Sequence, residues 1–210
     1  MIDLAERGTP QQLGRRRRTA VALTILATVV SFGHPALAED EIGGNNVVQV
    51  NNERDGAWKT RAKSSVEQEP GPSIVNENVA LARASCTDCR TVAVAVQAII
   101  VEGPVDDFRP GNAAVAFNES CVRCMTYAYA RQEVLYADGP VVLDGEAKDR
   151  YQAVKAQLDA VADSGLSFDE MTVELDHLAV ELVAALRGAI EESGHHATER
   201  ADRKVERDED

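Results

Sequence analysis

Cys86-Thr-Asp-Cys89 and Cys121-Val-Arg-Cys124 are two copies of one pattern, and each cysteine of the second lies 35 residues beyond its counterpart in the first. The flanks repeat as well. Asn78-Val-Ala-Leu-Ala precedes the first pair and Asn112-Ala-Ala-Val-Ala the second. Arg90-Thr-Val-Ala-Val-Ala-Val-Gln follows one, and Met125-Thr-Tyr-Ala-Tyr-Ala-Arg-Gln follows the other. Gly103-Pro104 and Gly139-Pro140 then close the two units. A unit this short cannot bury an apolar face alone, so stacked copies are expected.

A third copy, without cysteines, begins at Asn46. Val47-Val-Gln-Val50 is β-prone, Asp55-Gly56 is a two-residue hairpin signal, and Gly71-Pro72 closes the unit. Asn46 to Asp55 is a step of nine residues, as is Asn78 to Thr87, and Asn112 to Val122 is ten. Each CxxC therefore falls where the first copy has its Asp-Gly turn. The expected fold class is α+β. Three repeated β-hairpins over residues 46–140 form a small sheet with CxxC at two tips. An αα-hairpin follows over residues 141–194.

Within the first copy, Lys59, Arg61 and Lys63 alternate with Trp58, Thr60 and Ala62, and Trp58 reads as a core residue or a hairpin anchor. In the second, residues 92–101 are apolar on both faces apart from Gln97, as a central strand is. Val92, Val96, Ile99 and Ile100 also fit a helical period; the hairpin signal of the first copy favours strand. In the third, Tyr127 and Tyr129 stand where valines stood, with Arg131 and Glu133 after them on the same face. That strand is expected to emerge toward solvent.

Asp144 is a candidate N-cap for a helix carrying Tyr151, Val154, Leu158 and Val161 and stopped at Gly165. Ser167-Phe-Asp-Glu170 is a capping box. Met171, Leu175, Leu178, Leu182, Leu186 and Ile190 form the next apolar stripe, which ends at Gly194. Residues 195–210 are charged and without apolar period, so a disordered tail is expected.

Residues 1–38 read as a signal peptide. Arg15 to Arg18 form the positive region, Thr19 to Phe32 is an uncharged apolar run, and Ala36-Leu-Ala38 is a cleavage motif. The run is short for a membrane span, which needs about 20 residues; if left uncleaved, the leader would anchor the chain. The arginines leave open the Sec or the twin-arginine route. Residues 39–45 read as a flexible lead-in. Cleavage takes the chain from 22 basic and 35 acidic residues to 17 and 33, a net charge of −16. Such a chain suits a secreted or envelope location and not a nucleic-acid surface, which needs clustered basic residues.

Three chemistries fit Cys86, Cys89, Cys121 and Cys124. Export and an even count favour disulfides, Cys86–Cys89 and Cys121–Cys124, each across its own turn. Bonds between the repeats are the alternative connectivity. Two C-x2-C knuckles can instead close a tetrahedral zinc site of four cysteines. The third chemistry is thiol–disulfide redox catalysis, which calls for a first sulfur at a helix N-terminus. No His-Glu-x-x-His, Gly-x-Ser-x-Gly or phosphate-binding Gly-rich loop is present. His177 reads as a helix surface residue and His195 and His196 as tail. Asp106-Asp107 reads as a loop and Asp169-Glu170 as a helix start. No catalytic set and no small-molecule substrate follow from these residues.

The stretch from Asn78 through Ser85-Cys-Thr-Asp-Cys-Arg-Thr-Val-Ala-Val-Ala-Val-Gln97 to the second CxxC with Thr126-Tyr-Ala-Tyr resembles a group of exported bacterial CxxC-repeat proteins. It is also similar to the extracellular C-terminal part of membrane proteins named as peptide zinc metalloproteases. The resemblance covers residues 45–190. It implies an exported accessory or interaction domain of unknown role; any partner is expected to be an unidentified envelope or extracellular protein. It does not imply protease activity, because the protease motif would lie in a membrane part that this chain lacks.

Overall fold

The computed structural model describes residues 44–209. Residues 1–38, expected to be a signal peptide, and most of the expected lead-in fall outside them. The described chain runs β1 (Asn46–Asn52), β2 (Trp58–Glu69), β3 (Ser73–Ile74), β4 (Glu77–Ala84), β5 (Arg90–Val101), β6 (Asp107–Phe108), β7 (Gly111–Asn118) and β8 (Met125–Ala137). Helices α1 (Gly145–Val161) and α2 (Phe168–Glu192) follow, then β9 (Ala197–Glu209).

The threefold repeat is present, but its units are not hairpins. Each strand pairs, in parallel, with the equivalent strand of the next copy: β1-β4-β7 in one sheet, β2-β5-β8 in a second, β3-β6 in a third. The result is a three-coil parallel solenoid. Asn46, Asn78 and Asn112 lie in register, as do Trp58, Arg90 and Met125. Gly56 does not turn a hairpin. Its left-handed backbone (φ 67°) shapes the corner between β1 and β2, and its N–H donates to Thr87 O in the next coil at 2.8 Å.

Parallel strands are stable where both faces are covered, and β5 shows why. All twelve of its residues are buried. Ala93 and Ala95 point into the solenoid with Ala128 and Ala130, against Val48, Val50, Ala80 and Ala82 of the facing sheet. These small side chains let the two sheets close on each other. Val92, Val94, Val96, Ala98 and Ile100 point outward into a second core, built with the apolar stripes of α1 and α2. Residues 90–101 are therefore strand, and the helical period among them is incidental.

A column of asparagines runs through the coils. Asn46 Nδ2 donates to Asn78 Oδ1 at 2.9 Å, and Asn78 Nδ2 to Asn112 Oδ1 at 2.8 Å. Each Nδ2 also reaches main-chain carbonyls, Val96 O for Asn46 and Ala95 O for Asn78, both at 3.1 Å. Gln132 Nε2 donates to Gln97 Oε1 at 2.9 Å in a shorter column. The stacked amides pair with one another inside the fold, where an unpaired polar group is costly, and Asn46 Oδ1 at the end of the column is left without a partner.

The two ends of the solenoid are closed differently. In coil 1 the positions matching Ala93 and Ala95 are Arg61 and Lys63. Charges there oppose the stacking of another coil. At the far end β9 pairs antiparallel with β8 along its whole length, from Met125↔Glu209 to Ala137↔Ala197. The expected disordered tail is thus a strand. It lacks apolar period because it binds an exposed edge through its main chain. Asp202 O and Asp208 O accept from Asn112 Nδ2 (2.7 Å) and Asn118 Nδ2 (2.9 Å). Arg203 pairs with Asp176 and Arg207 with Asp169, fastening the strand to α2.

The helical pair forms as expected. Ser167 and Glu170 make the reciprocal capping box, and Gly165 and Gly194 take left-handed conformations at the helix ends. Asp144 occupies the N-cap of α1 without a side-chain hydrogen bond. Trp58 is not core. It is 64% exposed, with the Arg90 guanidinium 5.3 Å from its ring. Among the described residues no helix is long and apolar enough to cross a membrane.

Tyr127 and Tyr129 do not emerge toward solvent; both are fully buried under α2. Tyrosine can be buried when its hydroxyl finds a partner. Tyr127 stacks on Phe168 with centroids 4.9 Å apart and shares a hydrogen bond with Thr172. Tyr129 donates to Asp176 at 2.9 Å. Burial pushes the Tyr127 hydroxyl up to about 12 and that of Tyr129 upward as well. The unfolded chain ionises first, so their contribution to stability is intact below pH ~10 and is lost as pH rises toward the folded values. Tyrosinate absorbance from this pair should therefore appear only together with unfolding by circular dichroism. Subtracting the alkaline titration of Tyr127→Phe isolates the Tyr127 signal. Ionisation of that tyrosine in the still-folded protein would contradict its burial.

Candidate functional site: a stack of four cysteines

Ala84 ends β4 and Arg90 begins β5, and Cys86 and Cys89 lie in the corner between them. Cys121 and Cys124 lie in the equivalent corner between β7 and β8. Asp88 and Arg123, just before the second cysteine of each pair, both have left-handed backbones (φ 55° and 54°). That conformation, unusual for residues with side chains, turns the chain so that each second cysteine comes back toward the first. Main-chain bonds then register the corners. Asp88 N–H donates to Val122 O at 2.9 Å, Val122 N–H to Cys86 O at 3.2 Å and Met125 N–H to Cys89 O at 2.9 Å. An ion pair of Arg123 with Asp88 spans the outside, and it holds the Asp88 carboxyl below the usual carboxylate range.

Inside, the sulfurs of Cys86 and Cys89 are at bonding distance, and so are those of Cys121 and Cys124. The two pairs sit one above the other, with all four sulfurs within 4.8 Å of one another. The Cys89 and Cys124 sulfurs are 3.4 Å apart. Cys86, Cys89 and Cys124 are buried, and Cys121 is partly exposed. Carbonyl oxygens lie beside two of the sulfurs: Asn52 O is 3.3 Å from Cys86 Sγ and Cys86 O is 3.0 Å from Cys124 Sγ. Carbonyl oxygens beside sulfur disfavour a thiolate, which is held by N–H donors and positive charge. Both pairs lie in strand-to-strand corners, so neither first cysteine has the helix N-terminus that activates a redox CxxC.

Four cysteine sulfurs are also the donor set of a structural zinc site. Cys86, Cys89, Cys121 and Cys124 fit that ion only with both pairs reduced, because a disulfide sulfur is not a thiolate ligand.

The remaining singled-out residues are not drawn to this corner. His177 lies on the α2 surface, 3.7 Å from Glu181. His195 Nδ1 is 3.0 Å from Asp138 Oδ1, and the His196 N–H donates to the same oxygen. Asp107 pairs with Arg109, Asp169 with Arg207, and Glu170 caps its helix, so neither acidic pair is a dyad. Arg131 and Glu133, expected where the strand emerges toward solvent, are instead largely buried. Glu133, 1% exposed, pairs with Arg131, which also reaches Asp176 at 3.1 Å. Burial raises the Glu133 carboxyl, and the group ties β8 to α2. The chain matches no family model, no curated protein and no solved structure.

Proposed function

We propose that this chain is a non-catalytic exported module, structural or interaction-forming, whose solenoid is held by two cysteine pairs. The observation that carries this reading is the setting of the pairs. They are rungs of a strand corner, with Cys86, Cys89 and Cys124 buried, a carbonyl oxygen beside one sulfur of each pair and no helix N-terminus beside them. The partner would be an envelope or extracellular protein, and the location secreted, or membrane-anchored where the leader is retained. The resemblance to accessory parts of membrane peptide zinc metalloproteases points the same way, since this chain has no His-Glu-x-x-His of its own.

A second reading, a four-cysteine zinc domain, is favoured by the closeness of all four sulfurs. One experiment separates these from thiol–disulfide oxidoreductase activity. Intact mass is measured on protein from its native compartment, with and without reductant and with and without chelator, beside an insulin-reduction assay. The structural reading expects a mass four hydrogens below the reduced chain, no change on chelation and no insulin turnover. A mass loss of one zinc ion on chelation would replace it with the metal reading. Catalytic insulin reduction would replace it with the enzyme.

A further inference from the structure

The cysteines of the two coils are not merely close; they are equivalent. Thr87 bridges to Val122 in parallel, and Arg90 pairs with Met125, a constant offset of 35 residues across the corner. The same offset stacks Cys86 under Cys121 and Cys89 under Cys124. Neighbouring strands lie about 4.8 Å apart, within the span of about 4.4–6.8 Å that a disulfide bridges between Cα atoms. Each sulfur thus has two possible partners, one in its own turn and one in the next coil. Access is graded: Cys121 is partly exposed, while Cys89 and Cys124 touch at 3.4 Å in the interior.

We propose that this stack is a thiol-exchange site, at which a small thiol converts the two in-turn disulfides into two between coils. The proposal rests on the disulfide reading above. The thiolate attacks Cys121 Sγ, forming a mixed disulfide; the Cys121–Cys124 bond breaks and Cys124 leaves as a thiolate that Cys86 O, beside it, keeps from accumulating and that has Cys89 Sγ 3.4 Å away to attack. Cys124 attacks Cys89, forming Cys89–Cys124; the Cys86–Cys89 bond breaks and Cys86 leaves as thiolate. Cys86 then attacks Cys121, forming Cys86–Cys121 and releasing the small thiol. Two disulfides are present before and after, the thiol is regenerated, and no oxidant is consumed. The exchanged form closes loops of about 36 residues where the starting form closes rings of about four, so it restricts the unfolded chain more. It staples coil 2 to coil 3.

Tryptic mapping under non-reducing, thiol-blocked conditions reads the connectivity, because cleavage follows Arg83, Arg90, Arg123 and Arg131. Before thiol is added, in-turn pairing releases peptide 84–90 by itself. If it is instead attached to other peptides, or carries free thiols, the starting state is wrong and the proposal falls with it. After incubation of the folded protein with 2-mercaptoethanol at mildly alkaline pH, peptide 84–90 should be lost. It should reappear joined to both 91–123 and 124–131, and the denaturant midpoint of the exchanged protein should shift upward. Peptide 84–90 still free, with or without 2-mercaptoethanol accumulating on Cys121, would overturn the proposal. The double variant Cys86→Ser, Cys121→Ser leaves only the inner two thiols. Diamide should join Cys89 to Cys124 in the folded protein, and two thiols that stay alkylatable would equally overturn it.

Discussion

Asn78→Ala should be among the most destabilising single substitutions in the solenoid, at roughly 3–5 kcal/mol, with the stranding of each buried group costing about 1–3 kcal/mol. Asn78 is fully buried in the middle rung of the asparagine column. Its Oδ1 accepts from Asn46, and its Nδ2 serves Asn112 Oδ1, Ala95 O and Arg131 O. Alanine leaves a donor of one neighbour and acceptors of the others facing a cavity. Such a loss is a large part of the ~5–15 kcal/mol that holds an ordinary domain together. Asn112→Ala should cost less, because Asn112 is half-buried at the end of the column beside β9. Equilibrium urea unfolding of the two variants tests the ranking. Equal midpoints would overturn the ranking, and midpoints unchanged from the unsubstituted protein would mean that the column adds nothing beyond its strands.

Leu182→Ala should cost about 2–5 kcal/mol, the range for emptying a buried leucine site. Leu182 is fully buried midway along α2, in the same core as Val92, Val94, Tyr127 and Tyr129. The helices cover the outward face of the β2-β5-β8 sheet, so a cavity there loosens both layers. Val180, two residues earlier on the same helix, is 58% exposed. Val180→Ala should move the denaturant midpoint little, since surface substitutions are usually within about 0.5 kcal/mol. An unchanged midpoint for Leu182→Ala would mean that α2 does not close the core and presents its stripe to a partner instead.

The sequence by itself determined the threefold repeat, its register and the place of the cysteines. Those follow from spacing: Asn46, Asn78 and Asn112 recur at intervals the strands must respect. The helix stripes and the Ser167 cap were equally legible, because a 3.6-residue period and a capping box are local. Tertiary structure alone decided which strand pairs with which. Asp55-Gly56 can turn a hairpin or round a solenoid corner with the same left-handed glycine, and side-chain alternation has period two in either case. What separates them is a partner 32 residues away in the next coil, which takes up an edge of β5 while the facing sheet and the helices cover its two faces. Residues 197–209 were unreadable for a related reason. A strand held by its main chain to the β8 edge needs no apolar pattern, so its order exists only once that edge has formed. The burial of Tyr127 and Tyr129 likewise depended on where α2 came to lie, because a tyrosine is an interior residue only when a neighbour such as Thr172 or Asp176 meets its hydroxyl.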